Sequence, residues 1–229
     1  MLEVHAPHKP LHGYWEFLLH LFTISVGLLI ATQIESCVEW RHHVHLAEKA
    51  RTEMRAEIEG NLRDLKKAQP GLKAWREAID ADLHAMQSIQ EHPDDPQAQH
   101  ASLSVSCSSF SLNDTAWRTA QSTGALAYMP YEEAERYSSI YQAQSALMGY
   151  EEKPADDVAG ILGLISKYGV HSRPSSRITR EQAGALAERF GQMRLHLLAG
   201  DLLLQREIEA SEAFLENRKA RATIAESLH

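Results

Sequence analysis

The sequence predicts an all-α protein in which a single N-terminal transmembrane helix continues into an extramembrane helical bundle with two long helices. Three observations carry this prediction. Residues 17–34 (FLLHLFTISVGLLIATQI) form an uninterrupted 18-residue stretch without a formal charge. At ~1.5 Å per residue it extends ~27 Å as a helix, close to the ~30 Å hydrocarbon core of a bilayer. Elsewhere the apolar residues recur at intervals of three and four, the period of a helix with one buried face. Only residues 102–111 (SLSVSCSSFS) alternate with a period of two, and no second segment offers them a partner strand. The expected organisation is an irregular tail over 1–13, a transmembrane helix over 14–40 and a helical bundle domain over 41–229.

The flanks of the apolar stretch support a spanning helix. Tyr14 and Trp15 stand before it and Trp40 after it. Trp15 and Trp40 lie about 37 Å apart along a continuous helix, near the separation of the two interfacial belts where such rings collect. Thr23, Ser25 and Thr32 can return their hydroxyls to a carbonyl one turn earlier. Gln33 lies near the end of the span, and His20 is one turn from Glu16. A cleaved signal peptide fits less well, because Lys9 is the only basic residue ahead of the stretch and no A-x-A site follows. A lipoprotein signal ending at Cys37 would place Glu35 where a small residue is wanted. Thr23, Gly27 and Ala31, spaced by four, form a small-residue stripe along which a second helix can approach closely in lipid. The expected partners are therefore the lipid bilayer and either another copy of the chain or a partner membrane protein. Arg41, Lys49, Arg51 and Arg55 follow the span while Lys9 alone precedes it, so positive-inside counting favours a cytoplasmic C-terminal domain on a bacterial inner membrane.

Residues 41–229 suffice for one domain with a core of its own. The net charge is −8 and the charges are interspersed, which provides no basic stripe and argues against nucleic acid as a partner. Two cysteines, Cys37 and Cys107, make no disulfide framework.

After the span, Leu46, Ala50, Met54, Ile58, Leu62 and Leu65 make one core stripe, and Gln69-Pro70-Gly71 is expected to end or sharply kink the helix. A second helix over 72–90 would bury Trp75, Ile79, Leu83, Met86 and Ile89 and fold back as an antiparallel hairpin. Residues 92–96 are a loop. Asn113 or Asp114 can cap a short helix closed by Gly124. Pro130, with Glu132 and Glu133 behind it, begins a helix to about Gly149, and Pro154, with Asp156 and Asp157 behind it, begins another to about Tyr168. Thr179 and Gln182 form a capping box for the last helix. Its stripe of Leu186, Phe190, Met193, Leu197, Gly200 and Leu204 is heptad-like, continues through Ile208 and Leu215, and would pack along the 41–68 helix.

Chemistry-bearing residues are few. His42 and His45 share one face at a spacing of three, with Glu48 completing H-x-x-E. Such a pair can supply two ligands to Zn²⁺, and a symmetric dimer would supply four. A metal-binding membrane protein is thus the alternative to an interaction protein, although interfacial histidines with solvated ring tips explain the pair more simply. His5, His8 and His12 fall on the other side of a spanning helix and cannot join that site. His20 is a hydrogen-bonding residue more readily than a haem ligand. Ser104, Ser106, Ser108 and Ser109 around Cys107 read as a polar surface segment, and Trp75 and Trp117 as core residues. No G-x-S-x-G, phosphate loop, H-E-x-x-H or paired E-x-x-H occurs. No catalytic residue and no cofactor is expected, and the chain reads as a non-catalytic scaffold, adaptor or accessory subunit.

EVHAPHKP with the following His12, the segment YWEFLLHLFTISVGLLIATQIESCVEW, and HHVHLAEKAR after it resemble a family of uncharacterised single-pass bacterial membrane proteins. SFSLNDTAWRTAQSTGALAYMP, followed by Tyr137 and Tyr141, is similar to that family's second recurring block. The resemblance covers roughly residues 3–65 and 108–145. It implies a membrane-anchored helical domain and carries no activity with it.

Overall fold

The computed structural model describes residues 13–99, 103, 108–169 and 177–227. They form five α-helices: α1 (Tyr14–Glu91), α2 (Pro96–Gln99), α3 (Thr115–Ser122), α4 (Tyr131–Tyr168) and α5 (Arg180–Ser227). A 3₁₀ turn at Ala125–Tyr128 precedes α4. No strand occurs among the described residues, so the chain is all-α, and the described part of 102–111 is irregular. Two compact units divide the chain, residues 1–49 and residues 50–229, and α1 contributes to both.

The second unit is a bundle of three long helices whose directions follow from their cross-contacts. Lys66 pairs with Glu212, Arg76 with Asp201 and Asp80 with Arg194, so α5 descends as α1 ascends. Between α1 and α4 the numbers rise together: Arg51 pairs with Glu133, Glu57 with Tyr141, and Asn61 with Gln144. These two helices are parallel, and α2, α3 and the 3₁₀ turn lie within the return connection between them. Tyr137 against Phe214 and Asp157 against His196 make α4 and α5 antiparallel. The predicted stripes fill the core. Trp75, Ile79, Met86 and Ile89 of α1 meet Ile161 and Ile165 of α4 and Leu186, Phe190, Met193 and Leu197 of α5. Leu83 is packed only at the edge of this cluster.

Two expected breaks are absent. Pro70 lies inside α1, so the hairpin of helices 41–68 and 72–90 does not form. Pro154 and Gly149 lie inside α4, which is therefore a third long helix rather than two short ones. An interior proline forfeits one backbone hydrogen bond and costs about 3 kcal/mol in an isolated helix. Here Leu65 and Trp75 are buried on either side of Pro70, and Leu147 and Ile161 on either side of Pro154. Most helical stability comes from packing of this kind, which overrides the local penalty. The partner of α5 shifts accordingly: its first half packs on the 72–90 part of α1, and its distal half reaches the end of the predicted 41–68 helix, where Glu212 pairs with Lys66.

Capping was legible in part. Thr179 and Gln182 form the predicted box, with Gln182 N–H donating to Thr179 Oγ1 at 3.2 Å and Thr179 N–H donating to Gln182 Oε1 at 3.0 Å. At α3 the expected cap is not made by Asn113 or Asp114. Asp114 accepts from Arg118 instead, and the Ala116 N–H donates to Glu57 Oε2 of α1 at 2.9 Å. The positive end of α3 is thus neutralised by a carboxylate from another helix. Gly124 (φ 72°) closes α3 and Gly169 (φ 66°) closes α4, both in the left-handed region that favours glycine.

Candidate functional site

Within residues 1–49, the apolar part of α1 has no protein cover. Thirteen large hydrophobic residues from Tyr14 to Trp40 are exposed, and the most apolar 18-residue window has none of its residues buried. Its hydroxyl side chains are satisfied locally, as the sequence predicts. Thr23 donates to the Leu19 carbonyl at 2.8 Å, Ser25 to Leu21 at 2.8 Å and Thr32 to Leu29 at 3.0 Å. α1 is the one helix, among the described residues, long and apolar enough to cross a membrane. Thr23, Gly27 and Ala31 are exposed on a common face, and a Cβ added at Gly27 would meet nothing within 4 Å. His42 and His45 are exposed one turn apart, and the His42 ring lies edge-on to His43 at 5.9 Å. Among the described residues no three His, Cys, Asp or Glu side chains gather as a metal site, at His42 and His45 or elsewhere. Cys37 is exposed. His5, His8, His12, Ser104, Ser106 and Cys107 lie outside the described residues.

Within residues 50–229 the three long helices and the segment at 108–110 enclose a small cleft. Leu72, Phe110, Leu147, Pro154 and Leu197 form apolar walls, and Gly200 lies beneath the Tyr150 ring, where an added Cβ would sit 3.6 Å from it. Arg76, Tyr150, His196 and Asp201 bring polar groups to its walls, and Asp157 stands behind His196. Asp157, 4% exposed, hydrogen-bonds His196 Nδ1 at 2.6 Å and so orients the imidazole. Tyr150 packs edge-on against the same imidazole. Burial, with the Asp157 carboxylate beside it, raises its hydroxyl above the usual phenol range. Arg76 Nη1 donates to Asp201 at 2.6 Å. Trp75 is 4% exposed, and its indole N–H meets no acceptor among the described residues.

A second polar group lies across the bundle core. Asn61 is 1% exposed; its amide donates to Gln144 Oε1 and to the Asn113 carbonyl, both at 2.8 Å, and its oxygen accepts from the Asn113 N–H at 2.9 Å. Glu207, 2% exposed, accepts from Ser211 at 2.9 Å through Oε1. Burial raises its carboxyl above the ordinary range; Ser211 and the nearby Gln144 amide counteract this only in part. Among the described residues, Gln144 Nε2 does not close a hydrogen bond to it, and Glu207 Oε2 meets no donor. Tyr141 donates to Glu57 at 2.8 Å, and burial, then this bond, raises its hydroxyl far above the phenol range.

Sequence reasoning placed Trp75 in the core and used Asp157 only as a helix-start signal. It did not single out Tyr150, His196, Arg76 or Asp201, because spacing within one helix carries no trace of a cleft assembled from four segments. Asn61 and Glu207 had a signal: each interrupts a core stripe, beside Leu62 and Ile208. Compared with protein-family models, with curated proteins and with solved structures, the chain finds no match. The functional reading therefore rests on the physics of these two regions.

Proposed function

We propose that this is a single-pass, membrane-anchored helical protein of the bacterial inner membrane that acts by protein–protein interaction, as a non-catalytic scaffold, adaptor or accessory subunit. The exposed apolar surface of α1 carries the reading. Thirteen large hydrophobic side chains stand uncovered between Tyr14 and Trp40. At ~1.5 kcal/mol each, their exposure to water would cost on the order of 20 kcal/mol, more than the ~5–15 kcal/mol by which a domain is stable. A bilayer removes that cost, and the hydroxyl back-bonds leave no side-chain donor at Thr23, Ser25 or Thr32 to be stranded in lipid. The Thr23, Gly27 and Ala31 stripe is the surface for a second copy or a partner helix, since small residues let backbones approach. Arg41, Lys49, Arg51 and Arg55 retain the C-terminal domain on the cytoplasmic side. The resemblance to single-pass bacterial membrane proteins agrees with this anchor.

Membrane fractionation tests the anchor. The full-length protein is expected to stay with the membrane pellet through alkaline carbonate and high-salt washes and to be released only by detergent. Recovery of intact protein in the carbonate supernatant overturns the reading.

A further inference from the structure

We propose that the groove between α3 and α4 binds a neutral sugar of one or two pyranose rings. The groove lies wholly within residues 50–229, so the site does not depend on α1 entering lipid. Its walls are two helix faces. Asp114, Trp117, Arg118 and Gln121 line it from α3 and the residue before it, and Tyr141, Gln144, Ser145 and Met148 line it from α4. Each set is spaced i, i+3, i+4, i+7, the spacing of one helix face. At ~1.5 Å per residue each wall runs for ~10 Å. The groove holds about 530 Å³, within the roughly 300–1,000 Å³ of small-molecule sites.

Three properties of the groove select that class. The first is an aromatic ring. Trp117 stacks on Tyr141, with centroids 5.1 Å apart and planes 16° from parallel. Tyr141 is 4% exposed, so the indole is the ring left for a ligand. The C–H groups on one side of a pyranose pack on such a ring, whose π system is electron-rich. Water lying against the indole is poorly held and is displaced with a gain by an apolar surface. The second is hydrogen bonding. Gln121 and Ser145 line the groove, and their side chains make no hydrogen bond among the described residues. Asn113 brings a further amide to one end. Amides and hydroxyls both donate and accept, as does every hydroxyl of a sugar, whereas a wholly apolar ligand would strip them of water without replacement. The third is charge. Asp114 and Arg118 are the charged side chains lining the groove among the described residues, and they pair with each other at 2.8 Å. Glu57, which meets Tyr141, is taken up by the tyrosine hydroxyl and the Ala116 N–H. The groove thus offers no net charge to an ion.

The test uses full-length protein in lipid nanodiscs, with ¹⁵N-labelled tryptophan and with glucose, maltose, cellobiose and lactose as probes. The chain has four tryptophans, and the Trp117 indole signal is assigned by its loss in Trp117→Phe. At least one of the sugars is expected to give a saturable shift of the Trp117 signal alone at low-millimolar concentration. Ser145→Phe fills the groove from α4 and should abolish the shift. Gln121→Ala removes one amide from the α3 wall and should weaken binding at least threefold. Both positions are exposed and free of side-chain hydrogen bonds, and an unchanged signal from the buried Trp75 shows that each variant keeps its fold. Should Ser145→Phe disturb that signal, Gln121→Ala decides. The proposal is overturned by no saturable Trp117 shift with any of the four sugars, or by a shift that survives both substitutions. A response to the uncharged peptide acetyl-Ala-Asn-Ala-amide at a tenfold lower concentration than to any sugar overturns it too, and assigns the groove to an extended chain.

Discussion

Asn61 of α1 grips Asn113 by both of that residue's backbone groups, donating to its carbonyl at 2.8 Å and accepting from its N–H at 2.9 Å. The same amide reaches Gln144 of α4. One side chain thus fastens the start of α3 and a neighbouring long helix to α1. Asn61→Ala removes three hydrogen bonds and leaves the opposed groups short of partners inside the bundle. A loss of about 2–4 kcal/mol is expected, read from chemical denaturation of the detergent-solubilised full chain. A loss below 0.5 kcal/mol, about the level of a neutral surface change, would mean that water replaces the side chain there.

Glu207 gives a pH dependence of defined sign. Its carboxyl is held above its ordinary value of 4.5 by burial, so the fold favours the protonated form. The contribution to stability is fully present below pH 4.5 and is lost as the pH rises through the higher folded value. Glu207→Gln keeps the shape and cannot ionise. The variant should therefore exceed the parent by about 1–3 kcal/mol at high pH, with the difference shrinking towards pH 4. Denaturation curves recorded across pH 4 to 9 check this; a difference that grows on acidification contradicts it.

Pro70 is exposed within α1, and its ring nitrogen cannot donate to the carbonyl four residues earlier, that of Lys66. Pro70→Ala restores that hydrogen bond and a good helix former. Part of the gain is offset because proline also restricts the unfolded chain. A net stabilisation of about 1–2 kcal/mol is expected, measured as a rise in the denaturation midpoint at constant slope.

Proline also marks where the sequence stopped being legible. Pro70 and Pro154 are strong local stop signals, and both were overridden by apolar residues on either side that share one core: Leu65 with Trp75, and Leu147 with Ile161. The stripes themselves were readable, because an amphipathic helix writes its buried face in its own spacing. So was the Thr179–Gln182 box, whose partners are three residues apart. The cap of α3 was not, since its carboxylate, Glu57, comes from a residue nearly 60 positions earlier. Of the candidate regions, the apolar span was legible in composition alone. The cleft was not, because Trp75, Tyr150 and His196 become neighbours only once three helices have packed.

Association through the span is the remaining consequence. Thr23, Gly27 and Ala31 present little more than backbone on one face of α1. In lipid there is no hydrophobic gain from bringing two helices together, so the attraction depends on how closely their backbones approach. Gly27→Leu makes the span more apolar, so membrane insertion is kept, and holds a second helix away. Leu29→Ile, a change of branched apolar side chain at a position exposed away from the stripe, is the control. Energy transfer between donor- and acceptor-labelled copies in liposomes should show at least a tenfold weaker association for Gly27→Leu, about 1.4 kcal/mol, and no change for Leu29→Ile. Equal transfer in parent and Gly27→Leu would remove the stripe as a self-association surface. Loss of capture of a co-purifying membrane protein by Gly27→Leu, with self-association unchanged, would assign the stripe to that partner instead.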